Sequence, residues 1–293
     1  MLRCFDNDWR LSQPKMRPSH VTPAIVLRTR PFGESDKIVS FFTENFGKLT
    51  GIAKGAMRSR KRFMNSLEPF ALVNLRFQDP PHSNLVFIQS TDLVSNFRQL
   101  LTSLERISYA SYLVDITDGL IGEREENPTA FRHLMRGLSF VEKNETSLHF
   151  LTSFELKLLR LVGYQPFLDN CKRCHKDCLK DVDSRWYFSP VDGGILCDFC
   201  GRSRKEILPL GAAAIEVLSA LQAEALDPSS RLLLPRSIIR EIRTAVLGFI
   251  QFHMDREIKS ASFLSAFSSV ESGTLELVDS GNNTRINQRD EDP

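Results

Sequence analysis

The 293-residue sequence predicts an α+β protein, an N-terminal OB-fold β-barrel followed by a mostly helical domain that a small Cys4 zinc module interrupts. Three observations carry that reading. Residues 23–91 alternate in short β-type runs broken by turn residues, the apolar period turns helical after Thr91, and two Cys-x-x-Cys pairs lie within the helical half.

Residues 1–22 show no periodicity and contain Pro14 and Pro18, so they read as a flexible extension, with Met16 as an alternative start. Residues 23–91 read as the barrel. Ala24–Thr29, Ile38–Thr43, Lys48–Ala53, Ala71–Phe77 and Leu85–Ser90 are five short strands. Glu44-Asn45-Phe46-Gly47 is a tight turn whose glycine accepts positive φ. Five strands in under seventy residues fit a small closed barrel, with an open sheet as the competitor. Residues 92–168 form the first part of the helical domain, with helices expected over Leu93–Leu104, Ile107–Ile121 and Thr129–Val141. Leu151, Phe154, Leu158, Leu161 and Val162 make one helical stripe that Gly163 ends. Residues 169–206 are the zinc module, including a two-stranded insert through Arg185–Phe188 that turns back at Asp192-Gly193-Gly194. Residues 207–267 resume the helical domain. Ile215, Leu218 and Leu221 share a face there, and Ile238, Ile242, Ala245, Val246, Phe249 and His253 form a longer stripe. His253 reads as a packed helix residue and not as a ligand. Residues 268–293, rich in Ser, Gly, Asn and Asp, read as a disordered acidic tail.

Cys171-x-x-Cys174 and Cys197-x-x-Cys200 are separated by twenty-two residues. Each turn places two thiolates on one side of a loop, and two facing turns supply the four soft ligands of one tetrahedral Zn²⁺. Four sulfurs leave no open position for water, so the ion is a structural staple. Disulfides are the competing reading. The charged Met1–Arg10 segment has no apolar run after it, which argues against export and for a cytoplasmic protein. Cys178 and His175 lie close enough to replace a ligand, and Cys4 stands alone.

The net charge of +2 conceals an asymmetry. Ile25–Phe77 holds ten basic and four acidic residues, whereas Val270–Pro293 holds six acids and two arginines. A basic barrel suits a polyanion. Arg28, Arg30, Lys37, Lys48, Lys54, Arg58, Arg60, Lys61 and Arg62 are the candidate DNA-binding residues. If Lys54–Arg62 is extended, Arg58, Arg60 and Arg62 form a comb along one side, able to follow a phosphate backbone. Among the nearby phenylalanines, most suit the core, and Phe46 and Phe63 are the candidates for base stacking. No P-loop, His-Glu-x-x-His or zinc-deaminase pattern occurs, so binding is expected and catalysis is not. No eighteen-residue apolar run occurs to span a membrane.

Three ordered stretches resemble the bacterial RecO family. The first comprises Ala24–Thr29, Gly33-Glu34-Ser35-Asp36-Lys37, Phe46-Gly47-Lys48 and Lys54-Gly55-Ala56. The second runs from Gly163-Tyr164-Gln165-Pro166-Phe167-Leu168-Asp169 through both cysteine pairs, with Phe188-Ser189-Pro190 and Gly193-Gly194 between them. The third is Ile258-Lys259-Ser260-Ala261-Ser262-Phe263-Leu264. The resemblance covers roughly Thr22 to Phe267. It implies an OB-fold, a helical domain and a zinc module in a protein of DNA repair. It further implies binding of single- and double-stranded DNA, annealing of complementary strands, and action with RecR to load RecA on strands coated by single-strand-binding protein. The acidic C-terminal tail of that coat protein needs an apolar pocket edged by cations, for which Arg98, Arg106, Arg132, Arg136, Lys157 and Arg160 are candidates. Two features depart from the family pattern: the long opening segment, and His175 where a glycine is common. A zinc-ribbon transcription or translation factor and a nuclease are the readings from other classes.

Overall fold

A computed structural model describes residues 18–59, 61–80, 83–178, 185–224, 234–254, 256–258 and 260. Five strands form a closed barrel in the order β1-β2-β3-β5-β4, which is the OB-fold order: β1 (Ser19–Phe32), β2 (Asp36–Thr43), β3 (Gly47–Ala53), β4 (Leu72–Gln78) and β5 (Val86–Ser95). Closure depends on the length of β1, whose first half pairs with β4 from Ser19↔Gln78 while its second half pairs with β2 to Phe32↔Asp36. A short parallel contact between β3 and β5, at Gly51↔Val86 and Ile52↔Phe87, completes the ring. Inward residues alternate along the strands, and Val26, Val39, Phe41, Leu49, Val73, Leu75, Phe77 and Ile88 fill the interior. Gly47 has φ +64°, as its turn requires, and a Cβ there would lie 2.4 Å from the Glu125 carbonyl oxygen.

Two expectations need correcting. Ser19–Thr22 belong to the barrel and not to a flexible extension, while residues 1–17 lie outside the described residues. Their polarity hid the strand: Ser19 and Val21 face outward, and the inward Thr22 is itself polar. The helix expected over Leu93–Leu104 is also absent. β5 continues to Ser95, and a 3-10 turn over Arg98–Thr102 follows the left-handed Phe97. Leu93, Val94, Leu101 and Leu104 are exposed. Pairing of β5 with β4 at Leu72↔Ser95 outweighs the helical spacing.

The helical domain comprises α1 (Leu104–Leu120), α2 (Pro128–Lys143) and α3 (Leu148–Leu161), then α5 (Ala212–Gln222) and α6 (Arg236–His253). Asn127 caps α2 by accepting from the Ala130 N–H, and Pro128 stands at its first position, where no N–H is needed. Ser147 caps α3 through the Phe150 N–H. The stripe of Leu151, Phe154 and Leu158 is buried. Ile215, Leu218 and Leu221 of α5, and Ile242, Ala245, Val246 and Phe249 of α6, join it in one core. Helices on both sides of the cysteine module thus share that core. His253 packs against Tyr164 at 4.0 Å and Phe249 at 4.6 Å between ring centroids.

Between the two helical parts sits a three-stranded sheet in the order β7-β6-β8. Its strands are β6 (Trp186–Ser189), β7 (Gly194–Cys197) and the two-residue β8 (Leu208–Pro209), which the sequence did not announce. α4 (Asp198–Gly201) follows β7. The Phe167 segment runs parallel beside β7: its N–H donates to the Gly193 carbonyl, and its carbonyl accepts from Ile195 N–H. A Cβ at Gly194 would lie 2.5 Å from that carbonyl oxygen, so the glycine is what permits the close approach.

His133 on α2 illustrates how this core depends on pH. Its ring stacks 4.3 Å from Phe154, with Nε2 3.0 Å from the Phe154 carbonyl. Burial, only partly offset by that carbonyl, lowers its pKa to about 4. The unfolded chain takes up this proton near pH 6.5, whereas the folded one resists until about 4. The contribution is therefore complete above pH 6.5 and declines as pH falls toward 4, by about 3 kcal/mol. The denaturant midpoint should drop across that window, and His133→Phe should flatten the drop.

Candidate metal centre and nucleic-acid interface

The Sγ atoms of Cys171, Cys174, Cys197 and Cys200 all lie within 4.8 Å of one another, and those of Cys174 and Cys197 are 3.5 Å apart. The first turn is built by the loop after Leu168. Cys171 N–H donates to the Lys176 carbonyl and His175 N–H to the Cys171 carbonyl. This geometry puts His175 at φ 60°, the left-handed region. His175 is exposed and Cys178 is buried, and neither belongs to the sulfur cluster. Cys197 directly precedes α4 and opens the second turn, which Cys200 of α4 closes.

The cluster can hold a metal ion. Burial pushes the Cys171 thiol up, but N–H groups of Cys174, Cys197 and Arg173 outweigh it and bring its pKa to about 6. Burial and the neighbouring thiols push Cys200 up to about 12. One sulfur stabilised as thiolate by backbone donors, crowded by three others, is the donor set a soft divalent cation satisfies.

The candidate DNA residues separate into two groups. Arg28 pairs with Asp115 at 3.0 Å and Asp118 at 2.9 Å, and Lys48 pairs with Asp118 at 3.4 Å and Glu123 at 3.6 Å. Arg256 joins the same carboxylates, and the Ser260 hydroxyl donates to Asp115. Arg28 and Lys48 therefore fasten the barrel to α1 and to the chain after α6, and Ser260 of the third sequence stretch completes the fastening. Lys37 pairs with Glu68 at 3.0 Å.

Arg30, Lys54, Arg58, Lys61 and Arg62 are exposed, with no carboxylate partner among the described residues. Arg60 lies outside them. The connection is not an extended comb. The N–H groups of Arg58 and Ser59 both return to the Gly55 carbonyl, and the Arg62 guanidinium donates to the Lys54 carbonyl at 2.7 Å. These bonds satisfy the backbone inside the loop and coil it into a knob. Met57 N–H donates to the Ser35 carbonyl, which joins the knob to the β1–β2 turn.

Both stacking candidates are structural. Phe63 is 4% exposed within the barrel core, under the Arg62 guanidinium at 5.0 Å. Phe46 is half-buried, 5.1 Å from His20 and 5.3 Å from Phe77. Phe32, at the end of β1 beside the knob, is 51% exposed. Its position directly before the Gly33 turn was the sequence signal that could have singled it out. Of the helical-domain cations, Arg132 pairs with Glu44, Lys157 and Arg160 pair with Glu224, and Arg106 donates to the Glu142 carbonyl. Arg98 and Arg136 are exposed.

No helix among the described residues is long and apolar enough to cross a membrane. Residues 16–97 match the family described as recombination protein O, N terminal, and residues 101–262 match recombination protein O, C terminal. The chain is 34% identical over 250 residues to the DNA repair protein RecO of Syntrophus aciditrophicus, covering 85% of this chain and 96% of that one. It is 32% identical over 244 residues to the DNA repair protein RecO of Caldanaerobacter subterraneus, covering 83% and 96%. The protein of the same name from Syntrophobacter fumaroxidans is also 32% identical, with the same coverage. A closed OB-barrel, a helical core shared across a four-cysteine module and these matches along nearly the whole described chain establish that the protein belongs to the recombination protein O family of DNA repair proteins.

Proposed function

We propose that this chain is a DNA-binding recombination mediator that works by holding strands and not by breaking bonds. The observation that carries the reading is the cluster of Arg30, Lys54, Arg58, Lys61 and Arg62 at one end of the barrel, without carboxylate partners among the described residues and beside the exposed Phe32. Two complementary strands repel through their phosphates. A cationic knob that neutralises part of one backbone lowers that repulsion, while Phe32 presents a ring to its bases. Arg28, Lys37 and Lys48 are already engaged by carboxylates, so their share of phosphate binding is smaller.

With five contacting cations, the logarithm of the affinity for a single strand should fall against the logarithm of salt with slope about −3.5. Affinity should then drop about a hundredfold between about 50 and 200 mM salt. Replacing Lys54, Arg58 and Arg62 together by alanine should reduce the slope by about 2. A flat response in the unaltered protein would remove phosphate contact from the account.

The finer reading follows the family resemblance. The protein anneals complementary strands and binds double-stranded DNA. With RecR it helps RecA onto strands coated by single-strand-binding protein, whose acidic tail it contacts. The four cysteines hold one structural Zn²⁺, four thiolates being the set that ion prefers. A strand-annealing assay with and without nucleotide and chelator tests this. Annealing independent of nucleotide supports the mediator, cleavage of labelled DNA with magnesium favours a nuclease, and selective binding without annealing favours a zinc-ribbon factor.

A further inference from the structure

We propose that the cysteine module carries a second single-stranded DNA contact, with the ring of Phe199 as its stacking platform. This rests on the DNA-binding reading above and extends it to a part of the molecule that reading leaves as a staple. Phe199 lies between Cys197 and Cys200 and is 87% exposed, more than any other large apolar side chain among the described residues. Singly exposed apolar residues are ordinary on protein surfaces, and exposure alone assigns nothing. Here the ring stands on the single turn of α4 clasped by two clustered sulfurs, backed by the close packing of Gly201 on the Tyr187 ring. It belongs to neither core, so folding does not account for an aromatic residue there.

Its surroundings are cationic. Arg202, one turn along, pairs with Asp198 yet keeps its side chain 72% exposed. Arg185 is exposed and acts on the same carboxylate, so the acid inside the second turn is opposed by two guanidinium groups. On the facing turn, Lys172 rests 4.6 Å over the Phe167 ring, with no carboxylate partner among the described residues. A rigid aromatic tip bordered by cations matches the chemistry of a single strand, whose bases offer π-faces and whose backbone is anionic. It matches a duplex poorly, because the bases there are already stacked. Annealing joins two strands, and a strand contact separate from the barrel knob serves that step.

The test uses the full chain, a fluorescent oligo(dT) and titrations at several salt concentrations. Phe199→Ala should bind about five- to tenfold more weakly at every salt, the loss expected for one stacked base. The salt slope should be unchanged, because no charge is removed, whereas the barrel-knob variant flattens it. Phe199→Leu keeps the apolar bulk without a π-face and should behave like the alanine variant, while Phe199→Trp should restore binding. Metal content should be the same in all four proteins. Wild-type affinity in Phe199→Ala overturns the proposal. Full binding by Phe199→Leu overturns it too, and indicates an apolar anchor for a partner protein. An unaltered protein that binds no oligo(dT) at any salt overturns the DNA-binding reading itself, and this proposal with it.

Discussion

Cys197→Ala should leave well under one tenth of an equivalent of zinc per chain, where the unaltered reduced protein is expected to hold one. Structural zinc contributes about 10–16 kcal/mol of apparent binding free energy in small peptide sites, and removing one of four sulfurs forfeits most of it. The damage should spread beyond the loops. Cys171, Trp186, Phe188, Ile195, Leu196 and Cys197 belong to the same buried core as Ile242, Val246 and Phe249 of α6. Phe188 meets Phe249 edge to face at 5.3 Å. Limited proteolysis should open the chain between residues 169 and 206, and thermal unfolding of the helical domain should move down. The barrel interior is a separate core, so the salt slope of DNA binding should survive while the contribution of Phe199 disappears. Reduced protein that is purified without metal and is equally stable would show that the sulfurs serve no ion.

Arg243→Met should destabilise the helical domain by about 3–5 kcal/mol, because it strands a carboxylate in the core. Glu155 of α3 is fully buried, and Arg243 of α6 reaches its Oε2 at 2.5 Å with only 14% of the side chain exposed. The Tyr112 hydroxyl of α1 donates to the other oxygen of Glu155. Burial lowers the Arg243 pKa, but the Glu155 charge outweighs it and holds the guanidinium firmly protonated. Burial, reinforced by Glu155, raises the Tyr112 pKa well above 10. Three helices from both sides of the cysteine module therefore meet at one polar knot. Melting should fall by about 6–20 °C at about 2–4 °C per kcal/mol. Replacing Glu155 by leucine in the same protein should recover most of that loss, since no buried charge is then left unpaired. Melting of Arg243→Met at the unaltered temperature would show that the pair contributes nothing.

Local signals made much of this legible. The turn at Gly47, the stripe through Leu151, Phe154 and Leu158, and the Cys-x-x-Cys pairs each depend on neighbours within a few residues. The β6–β7 hairpin was readable for the same reason, with its turn at Asp192-Gly193-Gly194. Long-range pairing was not readable. Ser19–Thr22 form a strand only because β4 lies beside them, and Leu93–Ser95 are a strand for the same cause. Phe63 beside a run of cations looks like a stacking ring, and nothing local reveals that it turns inward.

The sequence by itself determined that a basic barrel, a helical domain and a four-sulfur module follow one another, because composition, period and ligand spacing are local properties of a chain. Only the tertiary structure decided which charges are available. Arg28 and Arg30 are equivalent in sequence and both exposed, yet Asp115 and Asp118 of a helix nearly ninety residues onward engage the first and leave the second without a carboxylate partner among the described residues. A cation's role depends on which carboxylates the fold brings within a few ångströms, and at close range that attraction outweighs anything its sequence neighbours contribute.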